Sequence, residues 1–383
     1  INPRTAAPDI LDGDIKVASL NVLNYFTTLD NAGPICGPSG DQDCRGADNA
    51  EELERQRAKI ISALVAIDAD IVGLMEIEND RPGPDPDYAV ADLVDGLNDV
   101  MGAGTYDYVA TGPIGADVIK VAMIYKPANV TKVGDPAVLD STVDARFLDD
   151  YNRPALAQSF IDNLVGETIT VVVNHLKSKS GPYTGDPDPE NPLDFDLGDG
   201  ASWWNVTRTT AAQAEVDWLA TDPTGSGSDH VLLIGDLNSY DKEDPIDAIK
   251  LGADDTPGTG DDFFDLAYEF LGENAYSYVF DGRFGYLDYA MANASLMPFV
   301  TDATVWHSNA DEVDLLDYDT SFKKDAQDAI YAPDAYRSSD HDPVVVTLTF
   351  NQPPVVGDDT YETDQDVTLD VAAPGVLVND LDV

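Results

Sequence analysis

The chain is 383 residues long and carries 72 acidic against 21 basic side chains, a formal net charge of −51, with 59 Asp among the acids. That charge argues against anionic membranes and, at first sight, against nucleic acid, because binding a polyanion normally leans on Lys and Arg. It does not make the chain a disordered polyacid, since 43% of residues are apolar, and no apolar run approaches the ~18 residues that a membrane helix needs.

Taken in order, residues 1–12 are polar and contain proline, as at the end of a linker, and the Ile-Asn-Pro-Arg start without Met is expected of a mature or excised fragment. Residues 15–23 (IKVASLNVL) alternate as a strand. Cys36 and Cys44 sit in a Gly/Pro/Asp loop. They read as a small disulfide-closed loop in an oxidising compartment, with two free thiols as the alternative. Residues 49–67 place Leu53, Ile60, Ile61, Leu64 and Ile67 at helical spacing behind Asn49, a good N-cap. The sequence DADIVGLMEI that follows is a buried strand. Further strands are expected at 119–125, 156–161, 168–176, 230–235, 286–292 and 343–350, with a helix at 208–220. Many of these strands are continuously apolar, which fits sheets covered on both faces in a mixed layer fold. Residues 351–383 contain eight acids and no Lys or Arg, after a Pro-Pro boundary. They are the start of a truncated module or an acidic tail. The segment DDTYETDQDVTLDVAAPGVLVND resembles the opening of cadherin-like tandem repeats of bacterial secreted proteins.

Several strand ends carry polar residues with chemistry. Asn21 and Asn24 fall in or after the first strand, where a turn role competes with a ligand role. Glu76 interrupts a buried strand, and a carboxylate there is costly unless it meets a metal or a partner. Glu78 lies on the same strand face, nearer the loop. His175 ends the apolar run VVVNHL and is followed by Lys177 and Lys179; a satisfied core histidine is the bland alternative. Asp236 and Asn238 share a strand face after a Gly bend. Asp288 lies on a strand, and Asp340 and His341 directly precede the last one. There is no Cys/His cluster for zinc and no phosphate-cradling glycine loop. Carboxylates and amides suit Mg²⁺ or Mn²⁺. A hard cation, two imidazoles and an activated water are the parts of a phosphodiester-hydrolysing site.

The motifs GDLN and SDHDPV, preceded by the strand-borne Glu and the NH pair, resemble the endonuclease/exonuclease/phosphatase (DNase I-like) superfamily over about residues 15–350. The wording GLMEIEND, VNHLKSKSG, WWNVTRTTAA, GDLNSYDKEDPI and YRSSDHDPVVV further resembles that of bacterial extracellular nucleases of the ExeM/NucH type. The resemblance implies an α+β, four-layer αββα sandwich with two facing mixed sheets over residues 13–350. It implies metal binding by Glu76, Asn21 and Asp340, and catalytic roles for His175, Asp236, Asn238, Asp288 and His341, with Asp288 orienting His341. Arg153 matches an arginine that contacts the scissile phosphate. Asp117 is the candidate partner of His175. Leu23 stands where some relatives place an acid, so no metal role is expected there.

The function so implied is a secreted, Mg²⁺- or Mn²⁺-dependent endonuclease that leaves 5′-phosphate ends on extracellular DNA, with RNA as a further substrate. It is expected as a monomeric catalytic domain without membrane insertion. Alternatives are another phosphoesterase of the superfamily, sphingomyelinase-like or a phosphatase, and an inactive adhesive or matrix-binding protein. The Asp-rich loops 186–200 and 253–265 are solvated turns or structural Ca²⁺ sites. Lys177, Lys179, Arg153, Arg208, Arg283 and Arg337 lie in or beside the motifs, predicting a basic or cation-neutralised cleft on an acidic body. The excess acid then fits a saline medium, where the Debye length falls to roughly 4–5 Å at about 0.5 M salt.

Overall fold

Long runs of Val, Ile and Leu that are apolar on both strand faces need cover from two sides. In the computed structural model, which describes residues 4–181 and 194–350 and positions 361, 362, 365, 366, 368 and 371, they receive it. The elements are β1 (Ile15–Tyr25), α1 (Ala50–Ile67), β2 (Ile71–Glu78), α2 (Tyr88–Met101), β3 (Asp107–Tyr108), β4 (Ile119–Tyr125), β5 (Val130–Leu139), β6 (Arg153–Asp162), β7 (Thr168–His175) and α3 (Asn205–Leu219). They continue as β8 (Val231–Asp236), α4 (Asp244–Lys250), β9 (Phe263–Asp265), α5 (Leu266–Leu271), β10 (Tyr278–Phe280), β11 (Arg283–Gly285), β12 (Asp288–Asn293), β13 (Val300–Val305), α6 (Asp325–Asp328) and β14 (Val344–Leu348).

Two six-stranded sheets result, ordered β13-β14-β1-β2-β4-β3 and β5-β6-β7-β8-β12-β9, while β10 and β11 form a separate hairpin. Both sheets are mixed, with β1–β2 and β7–β8 the parallel pairs. Alternation along each strand sorts the core into layers. Val17, Ile71, Met75, Val121 and Met123 of the first sheet meet Val171, Val173, Leu232 and Ile234 of the second. The outer face of the first sheet (Leu20, Val72, Leu74) packs on Ile60 and Leu64 of α1 and Leu93 and Leu97 of α2. The outer face of the second (Val172, Leu233) packs on Ala211 and Trp218 of α3 and Ile249 of α4. This is the expected four-layer αββα sandwich.

Local chemistry explains the elements. Asn49 caps α1 by accepting from the backbone N–H groups of Glu51 and Glu52 at 3.0 and 3.1 Å. Helix α2 was not expected from the sequence, although Val90, Leu93, Val94 and Leu97 repeat at helical spacing and are buried. Gly73 lets the sheets approach, because a Cβ there would lie 2.7 Å from side-chain carbons of both Val173 and Ile234. Cys36 and Cys44 form a disulfide, packed with Phe26, Val118 and Ile119. Residues 4–12, read as a linker end, run along the body: the carbonyl of Thr5 accepts from Trp306 Nε1 at 3.2 Å and from the Tyr336 hydroxyl at 3.0 Å. Most of the tail at 351–383 and the first part of the 186–200 loop lie outside the described residues.

Candidate active site

The second sheet builds a row. Across adjacent strands Arg153 of β6 is in register with His175 of β7, His175 with Asp236 of β8, and Asp236 with Asp288 of β12. Residues in register share a face, so a guanidinium, an imidazole and two carboxylates line one side of the sheet. All four are buried. Gly235 makes the row possible. Its φ is +132°, and a Cβ would lie 2.1 Å from the Asn174 carbonyl oxygen, so no other residue lets β8 press this close to β7.

The first sheet supplies the opposite wall through β1, β2 and the loop before β14. Glu76 sits at a register shift in β2 with φ +66°, and Leu23 and Asn24 on the neighbouring strand are also left-handed. Such backbone strain in non-glycine residues clusters at functional sites. The bulge turns the Glu76 carboxylate toward Asn21 Nδ2 (3.2 Å) and the Asn24 backbone N–H (3.0 Å). Asn21 differs from expectation. Its Oδ1 accepts from Leu23 N–H at 2.9 Å, so its amide nitrogen, not its oxygen, faces Glu76. Through that nitrogen it positions the carboxylate.

His341 bridges the walls. Its Nδ1 donates to Asp288 Oδ2 at 2.7 Å, and its Nε2 lies 3.9 Å from Asp236 Oδ2. The same Asp288 oxygen accepts from Ser277 Oγ at 2.7 Å. Nothing in the sequence around Ser277 marked it out. His175 Nε2 stands between Asp236 Oδ2 (3.5 Å) and Glu76 Oε1 (3.9 Å). Asn238 N–H donates to Asp236 Oδ1 at 2.9 Å, and its amide holds the Leu176 carbonyl at 3.1 Å.

The expected His175–Asp117 pair is not formed. Asp117 takes Arg45 at 3.2 Å and lies 3.6 Å from Arg153 Nε. His175 Nδ1 is buried without a partner. The reason is topological: Asp117 precedes β4 in the first sheet, on the side where Arg153 enters. Of the cations expected around the cleft, Arg153 and the half-buried Lys177 approach the site. Lys179 pairs with Glu243, Arg208 holds backbone carbonyls, and Arg337 pairs with Asp314 at 2.6 Å.

Burial and neighbouring charge set the protonation states. Burial pushes Glu76 up, and the nearby Asp340 adds to it. Burial pushes Asp236 up to about 7, opposed by His341 and reinforced by Asp288. For His341, burial alone would lower the pKa, but Asp288, Asp236 and Asp340 outweigh it and hold the ring cationic. His175 moves the other way, because burial and then Arg153 and His341 keep it neutral. Lys177 is lowered to about 8 by burial and then by Arg153.

A model of the endonuclease/exonuclease/phosphatase family matches residues 18–341. The chain belongs to the endonuclease/exonuclease/phosphatase family. No curated sequence is similar enough to match it. Among solved structures it is similar to a mannosyl-6-phosphatase of Bacteroides thetaiotaomicron, at 17% identity and a TM-score of 0.51, covering 88% of this chain and 100% of that one. It is similar to the human Nocturnin catalytic domain at 15% identity and TM-score 0.49, covering 88% and 96%. It is also similar to humanized D. rerio TDP2 at 13% identity and TM-score 0.48, covering 87% and 97%. The first of these likenesses shows the fold alone.

As a family phosphoesterase site, the residues fit a hard divalent cation. Asp236, Asp288 and His341 bring one ligand atom each within 4.8 Å of one another, and Asp288 Oδ1 is buried without a partner. This grouping was not the expected metal set. Glu76 and Asp340 are a second acidic pair, close enough for Asp340 to raise the Glu76 pKa. Elsewhere the 253–265 loop spends its carboxylates on its own donors: Asp254 N–H and the Thr259 hydroxyl bond Asp261, and Gly258 N–H bonds Asp262. Among the described residues, no helix is long and apolar enough to cross a membrane.

Proposed function

We propose that this protein is a cation-dependent endonuclease that hydrolyses phosphodiester bonds of DNA outside the cell, as bacterial extracellular nucleases of the ExeM/NucH type do. The observation that carries the reading is the Arg153–His175–Asp236–Asp288 row closed by His341 and faced by Glu76. Such a row offers a base, a charged imidazole, a neutral imidazole and a guanidinium around one point. That is what a transferring phosphoryl group with charge on its equatorial oxygens requires.

Glu76 and Asp340 would hold the cation, with substrate oxygens completing its shell, because Mg²⁺ uses few protein carboxylates. Held there, the cation leaves Asp288 and His341 their 2.7 Å hydrogen bond. The cation would supply Lewis-acid polarisation of a phosphate oxygen. Asp236, with its pKa near the working pH, takes the proton of the attacking water. Cationic His341, oriented by Asp288, stabilises the charge that builds on the phosphorus oxygens and gives its Nε2 proton to the 3′ oxygen as the bond from phosphorus to that oxygen breaks. Neutral His175 offers an Nε2 proton toward the same point, and Arg153 supplies fixed positive charge.

Two further properties support action outside the cell. The disulfide between Cys36 and Cys44 persists best in an oxidising compartment. The acidic body suits a saline medium. An assay of plasmid DNA, RNA, sphingomyelin and phosphomonoesters side by side, with Mg²⁺, Mn²⁺, Ca²⁺ or EDTA, tests the reading. Cation-dependent nicking of plasmid DNA is expected. Turnover confined to sphingomyelin or to monoesters would replace the nuclease by another phosphoesterase of the family.

A further inference from the structure

The hairpin of β10 and β11 belongs to neither sheet, and it leads away from the site. Its two-residue turn, Asp281–Gly282, has positive φ at both positions (+50° and +72°), the geometry that matches strand twist. At its base Ser277 bonds Asp288, and the Tyr278 ring lies on the His341 ring with centroids 4.5 Å apart. The register pairs Tyr278 with Gly285 and Phe280 with Arg283. Directly paired residues share a face, so Tyr278, Phe280 and Arg283 form one stripe that starts at His341 and runs outward.

On the other face Phe284 is also exposed, at 60%, but has a ring partner. Phe284 meets Tyr276 edge-on at 5.0 Å, and Tyr276 stacks on His307 at 3.7 Å. Phe280 has no ring partner among the described residues and is 59% exposed. Arg283 is exposed and makes no ion pair among the described residues, although Arg55, Arg146 and Arg337 each find a carboxylate. In a chain of net charge −51, an unpaired guanidinium beside a bare aromatic ring is unusual.

We infer that this stripe is a stacking platform for an unpaired nucleic-acid strand: one base rests on Phe280, a flanking phosphate meets Arg283, and Tyr278 borders the scissile nucleotide over His341. The inference rests on the nuclease reading above. An isolated ring can offer its face only to a base whose own face is free, which a base inside a duplex lacks. The platform therefore favours single-stranded or locally melted DNA. It also gives an acidic protein affinity that does not depend on a basic surface.

The test uses the full chain and a fluorescently labelled single-stranded oligodeoxynucleotide, read by anisotropy and by cleavage with Mg²⁺. Phe280→Ala should weaken binding and raise KM roughly tenfold or more, the scale of losing one base–aromatic stack, with kcat moved less. Phe280→Trp should restore both, and Arg283→Ala should weaken binding and flatten its salt dependence. Thermal melting of each variant, unchanged from the parent, separates this from misfolding. If the parent cleaves DNA and Phe280→Ala binds the oligonucleotide as the parent does, the platform is wrong and the nuclease reading stands. If the parent neither binds nor cleaves nucleic acid, the nuclease reading fails first. Sedimentation with phosphatidylcholine vesicles that Phe280→Ala abolishes, with oligonucleotide binding intact, would overturn the inference in favour of lipid insertion.

Discussion

At the scale of single residues, the site separates groups that move protons from groups that hold position. His341 is useful only while Asp288 orients it at 2.7 Å. His341→Ala should reduce DNA cleavage by about 10²–10⁴-fold, the usual contribution of a positioned acid–base group. Measured kcat on plasmid DNA within a few-fold of the parent would contradict that role. Asn21 makes a different prediction, because its amide nitrogen steadies Glu76. Asn21→Ala should raise the Mg²⁺ concentration needed for half-maximal activity by about 10- to 100-fold, as losing the support of a metal ligand does elsewhere. Saturating Mg²⁺ should recover most of the rate, whereas it should not rescue His341→Ala. Titrating activity against Mg²⁺ in both variants makes the distinction.

Among the elements, α3 carries a group with no part in the proposed chemistry. Glu215 faces β7 fully buried, its oxygens make no well-formed hydrogen bond, and only the Asn174 amide offsets the cost. Burial raises its pKa from 4.5 to about 8. The folded chain therefore keeps a proton that the unfolded chain releases above 4.5. Stability contributed by this group is full below pH 4.5 and is lost as pH rises toward 8. The loss is on the order of 3–5 kcal/mol at alkaline pH, counting about 1.4 kcal/mol per pH unit. Glu215→Gln should flatten that slope, raising the denaturation midpoint at pH 9 and leaving it nearly unchanged at pH 4. Equal slopes for both proteins would show that Glu215 titrates normally. The disulfide loop gives the second prediction at this scale. Cys36 and Cys44 are eight residues apart, so closing the loop contributes about 2–3 kcal/mol by the chain-entropy estimate. The double Cys→Ser variant should unfold at correspondingly lower denaturant, with the same slope.

At the scale of the whole molecule, charge dominates. A body at −51 repels itself, and salt screens that repulsion. Thermal stability should rise from dilute buffer to marine salt. DNA cleavage should survive there, because the affinity proposed above lies in a cation, a few buried positive groups and a stacked base. Collapse of activity at marine salt with a maximum in dilute buffer would overturn the saline reading.

The periodicity of the sequence determined much of the fold. Residues 119–125 and 168–175 are strands as their apolar runs demanded, and α1 begins where Asn49 can cap it. Helix α2 was equally legible in Val90, Leu93, Val94 and Leu97 but lay between longer signals. The short strands β9 to β11 carry too few residues for a period to register. Motif order also marked Glu76, His175, Asp236, Asp288 and His341, since each interrupts, ends or leads into a run that is otherwise apolar. What the sequence by itself determined was therefore which residues are chemically out of place and which strands bear them. The tertiary structure alone decided how they pair. Register aligned Arg153, His175, Asp236 and Asp288 across four strands drawn from distant parts of the chain. It gave Asp117 to Arg153 rather than to His175, and it turned the Asn21 oxygen back to its own backbone. Such pairings depend on strand order and on distances of a few ångströms between residues far apart in the chain, and neither is written in local composition or spacing.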